Sequence, residues 1–151
     1  MNFTPNFEST DKELSYEPIK NYMVHVKDLV TFSPDQIISE VIDTILDKKI
    51  SGAPVLDKAG NLVGIISEKD CLRLIIDRAY YNMPNQKSTV ADYMTKAVRT
   101  VSPNMDIVTA ANEFLIAPVR RFPIVEGGKL LGQISRRDIL KAARKIKATT
   151  W

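Results

Sequence analysis

The chain has 151 residues, 44% of them hydrophobic and 26% charged, with a net charge of +3. That length suits one core, or two small units sharing one, and no apolar run nears the ~20 residues a membrane helix needs. A single cysteine, Cys71, and a single histidine, His25, exclude an internal disulfide and a cysteine zinc cluster, and leave little material for a catalytic triad or a histidine metal site.

Residues 1–18, MNFTPNFESTDKELSYEP, are polar and slightly acidic. They lack the basic start and apolar middle of a signal peptide and read as a tail or an arm. With one free thiol, the cytoplasm is the expected compartment.

Tyr22-Met23 then leads to a short β-rich run, LVTF, ending at Phe32. Ser33-Pro34 predicts a helix opening, with serine as N-cap and proline at the first helical position. Ile37, Ile38, Val41, Ile42, Ile45 and Leu46 form its apolar stripe. APVL, a DKAGN turn and LVGII predict a β-hairpin over 53–66. A second helix is expected from Ser67, with Leu72, Ile75 and Ile76 apolar, before the connector DRAYYNMPNQK at 77–87.

The chain then repeats itself. Tyr93-Met94, VRTV, Ser102-Pro103 and a helix carrying Ile107, Ala110, Ala111, Phe114 and Leu115 follow in the same order. Pro118 stops that helix. The hairpin FPIV–EGGK–LLGQI comes next, and a last helix from Ser135 carries Ile139, Leu140 and Ala143. LVGIISEKD at 62–70 returns as LLGQISRRD at 130–138, so Gly64, Ser67 and Asp70 recur as Gly132, Ser135 and Asp138. A period near seventy residues is a tandem duplication of a β-α-β-β-α unit rather than a solenoid. Charge is not duplicated with it. Residues 120–151 hold nine Lys or Arg against Glu126 and Asp138, a balance of +7, whereas the first 119 hold twelve basic and sixteen acidic residues, a balance of −4. The basic end suggests an anionic ligand, or a solvated helix face.

Ser33-Pro34, KKISGAPVLD and LVGIISEKD, followed by Ser102-Pro103 and RRFPIVEGGKLLGQISRRD, closely resemble two CBS motifs in tandem, the arrangement called a CBS pair or Bateman module. The expected fold is therefore mixed α/β (α+β): two β-α-β-β-α motifs packed with pseudo-twofold symmetry into one CBS-pair domain. The expected boundaries are a tail at 1–18, motifs at 19–78 and 89–147, a connector at 79–88 and an end at 148–151.

The resemblance implies a regulatory module that binds an adenosine-containing ligand, AMP, ADP or ATP before S-adenosylmethionine or NAD, in clefts between the motifs. In the family, the aspartate of G-x-x-[ST]-x-x-D takes the ribose hydroxyls and the Ser or Thr helps hold ribose or phosphate. The main cleft would use Asp138 and Ser135, with Arg121 on phosphate and Thr31 and Ser51 approaching the ligand. The second would use Asp70, Ser67 and Thr100, but has Gly52 where Arg121 stands in the other copy. Adenine is expected near Val55, Ile65 or Ile134. Gln133, in place of the apolar Ile65, is a departure that bears on ligand preference.

The chemistry is sound without the family, because a carboxylate offers two oxygens to vicinal hydroxyls and a helix start favours phosphate. Ser-x-x-Asp at a helix start is equally a capping box, and the two roles are compatible. Thr31 is equally an ordinary β-branched strand residue.

The resemblance and the residues together lead to three functions. The first is a cytoplasmic nucleotide sensor that requires no further cofactor or metal, forms a homodimer and signals to a separate regulated protein. Tyr80, Tyr81 and Trp151 are additional contact candidates. The second is nucleic-acid binding through RRDILKAARKIK at 136–147, whose Arg137, Lys141, Arg144 and Lys145 make a basic stripe without a base-reading motif. A ligand-free protein-interaction module is a variant of the first. The third, an enzyme, lacks an activated nucleophile or a metal constellation.

Overall fold

The computed structural model describes residues 17–81 and 88–150, with side chains through Ile146. The expected tail to residue 16, most of the connector and Trp151 lie outside the described residues. The described chain is mixed α/β, with helices around two small sheets.

Its strands are β1 (Val24–His25), β2 (Gly52–Leu56), β3 (Leu62–Ser67), β4 (Arg121–Glu126) and β5 (Lys129–Ser135). The helices are α1 (Ile38–Lys48), α2 (Glu68–Tyr80), the short α3 (Val90–Tyr93), α4 (Ile107–Ile116) and α5 (Arg136–Thr150). Two compact units emerge. Among the described residues, one holds 29–81, 88–99 and 127–130; the other holds 17–28, 100–126 and 131–150.

In the first unit β2 pairs antiparallel with β3, from Gly52 opposite Ser67 to Leu56 opposite Leu62, with an irregularity at Val55 and Leu56. Phe32 adds a parallel bridge to Val55, and Thr95 an antiparallel one to Ile65. In the other unit β5 lies between β1 and β4. Val24 stands opposite Gln133 and His25 opposite Gly132, while Val101 bridges Ile124 in parallel. The start of each repeat has thus joined the hairpin of the other. Residues 22–25 serve β5, and residues 93–95 serve β3.

The repeated glycines follow from this exchange. A Cβ on Gly132 would run into the backbone carbonyl oxygen of Val24, and one on Gly64 would come within 2.7 Å of the Met94 sulfur. At Gly132 the obstacle is the backbone of the paired strand and no side chain fits, whereas at Gly64 it is first the Met94 side chain.

Each unit has its own buried cluster, where the sequence suggested one shared core. Phe32, Ile38, Val41, Val55, Ile66 and Leu74 make one, with Val90 contributed by the second repeat. Val101, Ile107, Phe114, Phe122, Ile124 and Ile134 make the other, with Ile19 contributed by the first. Ile19 and Val90 are both fully buried, so the exchange carries packing as well as backbone pairing.

The helix starts differ from expectation. Ser33-Pro34 and Ser102-Pro103 make turns, closed by Gln36 N–H on Ser33 O at 3.2 Å and Met105 N–H on Ser102 O at 3.1 Å. The helices begin at Ile38 and Ile107, five residues after each serine. The first free N–H of α1, on Ile38, donates to Ser88 O at 3.0 Å, and Asp106 caps α4 by accepting from Thr109 N–H at 2.7 Å. A tertiary partner, Ser88 O, takes the place of the serine cap at α1, and a nearer local residue, Asp106, takes it at α4. Lys49, in the left-handed region at φ 54°, ends α1. Leu72, Ile75 and Ile76 of α2 are exposed, and Asp70, Cys71 and Leu74 are buried in their stead.

Candidate functional site

Both Ser-x-x-Asp motifs end a hairpin strand and start a helix. At α2, Ser67 N–H and Ser67 Oγ each donate to Asp70 Oδ2 at 2.9 Å, and Asp70 N–H returns a bond to Ser67 Oγ at 3.3 Å. At α5 the same three bonds join Ser135 and Asp138 at 2.9, 2.9 and 3.1 Å. Both are capping boxes, with aspartate in place of the usual glutamate. Capping fixes each carboxylate through one oxygen and leaves the other to be accounted for.

The two motifs then diverge. Asp70 is only 4% exposed, and its Oδ1 accepts from the Thr95 hydroxyl at 3.2 Å. Asp138 is half-buried, and among the described residues no donor reaches its Oδ1. The register explains why. Thr95 faces Ile65, and the corresponding pair in the other unit is Val24 with Gln133, where valine has no hydroxyl to give. Asp70 is closed by a protein donor, whereas Asp138 keeps an oriented, accessible acceptor. Gln133, half-buried on β5, occupies the strand position of Ile65.

Arg121 opens β4, and Ser135 closes the neighbouring β5. Both therefore lie at the hairpin end away from the Gly127–Gly128 turn, where Arg136 N–H also donates to Arg120 O at 3.1 Å. Arg121 is exposed. An exposed guanidinium, a half-free carboxylate and a helix N-terminus thus share one end of this unit, a set suited to a phosphate and a diol. The corresponding end of the other hairpin cannot copy it. Gly52 sits so close to β3 that a Cβ would come within 2.7 Å of Ile66 O.

Thr31 and Ser51 belong to the unit of Asp70. Thr31 is half-buried beside Phe32, whose N–H donates to Pro54 O at 3.0 Å. Ser51 is exposed, and its carbonyl accepts from Glu68 N–H at 2.9 Å. Thr100 belongs to the unit of Asp138 and is exposed. Of the residues proposed to contact adenine, Val55 and Ile134 are fully buried core and only Ile65 keeps an accessible edge.

Thr95 is the residue that sequence reasoning missed. The signal was present, because matching Tyr22-Met23 with Tyr93-Met94 sets Val24 against Thr95.

Burial, together with the charges of Asp70 and Glu68, pushes the Cys71 thiol up, away from the reactive thiolate. Among the described residues, no group of three His, Cys, Asp or Glu side chains is placed to hold a metal, and no helix is long and apolar enough to cross a membrane.

Comparison with known proteins gives these residues a context. The CBS domain model matches residues 19–77 and 90–145. Uncharacterized protein MJ1426 of Methanocaldococcus jannaschii is 32% identical over 145 residues, covering 77% of this chain and 86% of its own. Uncharacterized protein MJ1225 of the same organism is 28% identical over 83% of this chain, which spans only 42% of that longer protein. Among solved structures, CBSX2 of Arabidopsis thaliana in complex with AMP superposes with a TM-score of 0.75 at 28% identity, covering 86% of this chain and 98% of that one.

Proposed function

The chain belongs to the CBS-domain family, carrying the domain twice, and on that premise we propose that it is a regulatory module that binds an adenine nucleotide at Ser135 and Asp138. The observation that carries this reading is Asp138 Oδ1, an accessible carboxylate oxygen with no protein donor among the described residues, on a side chain already aimed by Ser135. A ribose supplies the two vicinal hydroxyls such a carboxylate accepts. Arg121, at the same hairpin end, supplies a forked donor for phosphate. The AMP complex of CBSX2 supports the ligand class.

Asp70, closed by Thr95, is the weaker site, and Ser67 and Thr100 serve it only if that bond opens. Thr31 and Ser51 are assigned to the main ligand on the family pattern alone, and single alanine variants test them. AMP, ADP and ATP come before S-adenosylmethionine and NAD, because Arg121 favours a terminal phosphate. The module has no catalytic role, acts in the cytoplasm, forms a homodimer and signals to a separate protein. A readout of that kind needs different affinities for two states of the module.

Calorimetric titration with AMP, ADP, ATP, S-adenosylmethionine and NADH tests the reading, beside Asp138→Ala and Arg121→Ala. Asp138→Ala is expected to weaken AMP roughly ten- to hundredfold. Arg121→Ala should weaken AMP while leaving adenosine unchanged. No binding by any of the five refutes the proposal and leaves the capping role alone.

A second reading, nucleic-acid binding, draws on Arg137, Lys141 and Arg144, which share one face of α5. It predicts retention of DNA at low salt that falls steeply as salt rises.

A further inference from the structure

Gln133 is a polar residue that neither capping box uses. Along β5 the core takes Leu130, Gly132 and Ile134, while Leu131, Gln133 and Ser135 are half-buried on the opposite face. Val24 stands directly across from Gln133 on β1, so its side chain lies on that same face, and it is 37% exposed. The side-chain amide of Gln133 makes no hydrogen bond to any described residue. In the other repeat the same strand position is filled by Ile65. The protein therefore gives the amide nothing that an aliphatic side chain would lack, and half-burying it without a partner forfeits part of its hydration.

The neighbours of Gln133 give the amide a use. Ser135, whose hydroxyl donates to Asp138 Oδ2 at 2.9 Å, is the next residue along the same face. Two residues of strand separate the pair, about 6.8 Å, a length that a nucleoside spans from ribose to base. A base directed along β5 from a ribose on Asp138 meets Val24 and Leu131, whose apolar surface suits the face of a ring. At its edge it meets the Gln133 amide, which offers both an acceptor and a donor.

We infer that Gln133 is the specificity-determining residue of the nucleotide site. Its amide oxygen accepts from the 6-amino group of adenine, and its amide N–H donates to a neighbouring ring nitrogen. Glutamine reads adenine in nucleic acids through the same complementarity of one donor and one acceptor on each partner. The inference rests on the proposed site at Ser135 and Asp138 and adds the group that recognises the base. Ile65, which can only pack, gives the other repeat no such selection.

Calorimetry with AMP and with purine riboside 5′-monophosphate, which is AMP without the 6-amino group, isolates this contact. The unaltered chain is expected to bind AMP about tenfold or more tightly than the second nucleotide. Gln133→Ile installs the residue found at the same position of β3, and Gln133→Met keeps the length of the side chain without its donor. In both variants AMP should still bind, but its preference over the second nucleotide should fall to within about twofold. Thermal unfolding of both variants, expected at the Tm of the unaltered chain, shows that the fold is kept. A preference absent from the unaltered chain, or one that survives both substitutions, overturns the inference and leaves the Ser135–Asp138 site standing. Binding of neither nucleotide overturns the inference and the site together.

Discussion

Alanine at Asp70 and alanine at Asp138 remove the same residue from the same repeat position, yet the two changes should have opposite profiles. Both lose a capping box, worth about 1 kcal/mol. Asp70→Ala also loses the bond from Thr95 Oγ at 3.2 Å to a carboxylate only 4% exposed. A hydrogen bond to a charged group contributes about 1.5–3 kcal/mol. Thr95 is itself exposed, so its freed hydroxyl regains water and the lower end of that range applies. Asp70→Ala should therefore cost about 1.5 kcal/mol more than Asp138→Ala, a further drop in Tm of roughly 3–6 °C for a chain of this size. Nucleotide affinity should run the other way. Asp138→Ala loses the ribose and falls roughly ten- to hundredfold, while Asp70→Ala stays within about threefold. Thermal unfolding and AMP calorimetry on the two variants read both quantities. Equal stability losses, or a larger affinity loss at Asp70, would refute the reasoning that Thr95 closes one carboxylate and leaves the other open.

Other outcomes follow from single contacts. Thr95→Val removes the donor from Asp70 Oδ1, and a second, weaker AMP site should then appear in calorimetry, with stability lowered by about 1–2 kcal/mol. Gly132→Ala should destabilise by about 1–3 kcal/mol in urea melts. Gly64→Ala should cost less, because its Cβ would meet the flexible Met94 side chain first, whereas Gly132 faces backbone. The Tyr93 hydroxyl donates to Asp77 at 2.6 Å, and burial with that carboxylate pushes its pKa up to about 12. A raised folded-state pKa favours folding fully below the ordinary value of 10.0 and loses that contribution as pH climbs toward 12. Alkaline melts of the unaltered chain should fall through that window, and Tyr93→Phe should flatten this component.

The duplication, the hairpins and the second helix of each motif were legible because their signals are local. Gly-rich turns and Ser-x-x-Asp boxes act within a few residues, and the structure keeps them. The helix starts after Ser-Pro were misplaced for two reasons. The partner at α1 is Ser88 O, which no window around Ser33 contains, whereas the cap at α4 is Asp106, a competing N-cap only four residues after Ser102. The exposed face of Leu72, Ile75 and Ile76 was missed for a related reason. An apolar stripe says that a surface is to be covered, not which partner covers it. The repeat singled out Asp138 and Ser135 as candidates. Their difference from Asp70 and Ser67 could not be read there, since it rests on a hydroxyl donated from 25 residues away.

The exchange of repeat starts ties these observations together. β3 receives Thr95 and the Val90 side chain from the second repeat, and β5 receives Val24 and the Ile19 side chain from the first. A single motif expressed alone would expose the edge that this pairing covers and leave Gly64 or Gly132 facing water across an empty strand position. Residues 19–88 by themselves should therefore show little cooperative unfolding by circular dichroism, and mixing them with residues 89–151 should restore it. Cooperative folding of either half alone would mean the exchanged strands are accessories. The same exchange is what makes the sites unequal. With Thr95 beside Ile65 and Val24 beside Gln133, threonine or valine at one position of the repeat start decides whether the second oxygen of the carboxylate in that unit has a protein donor.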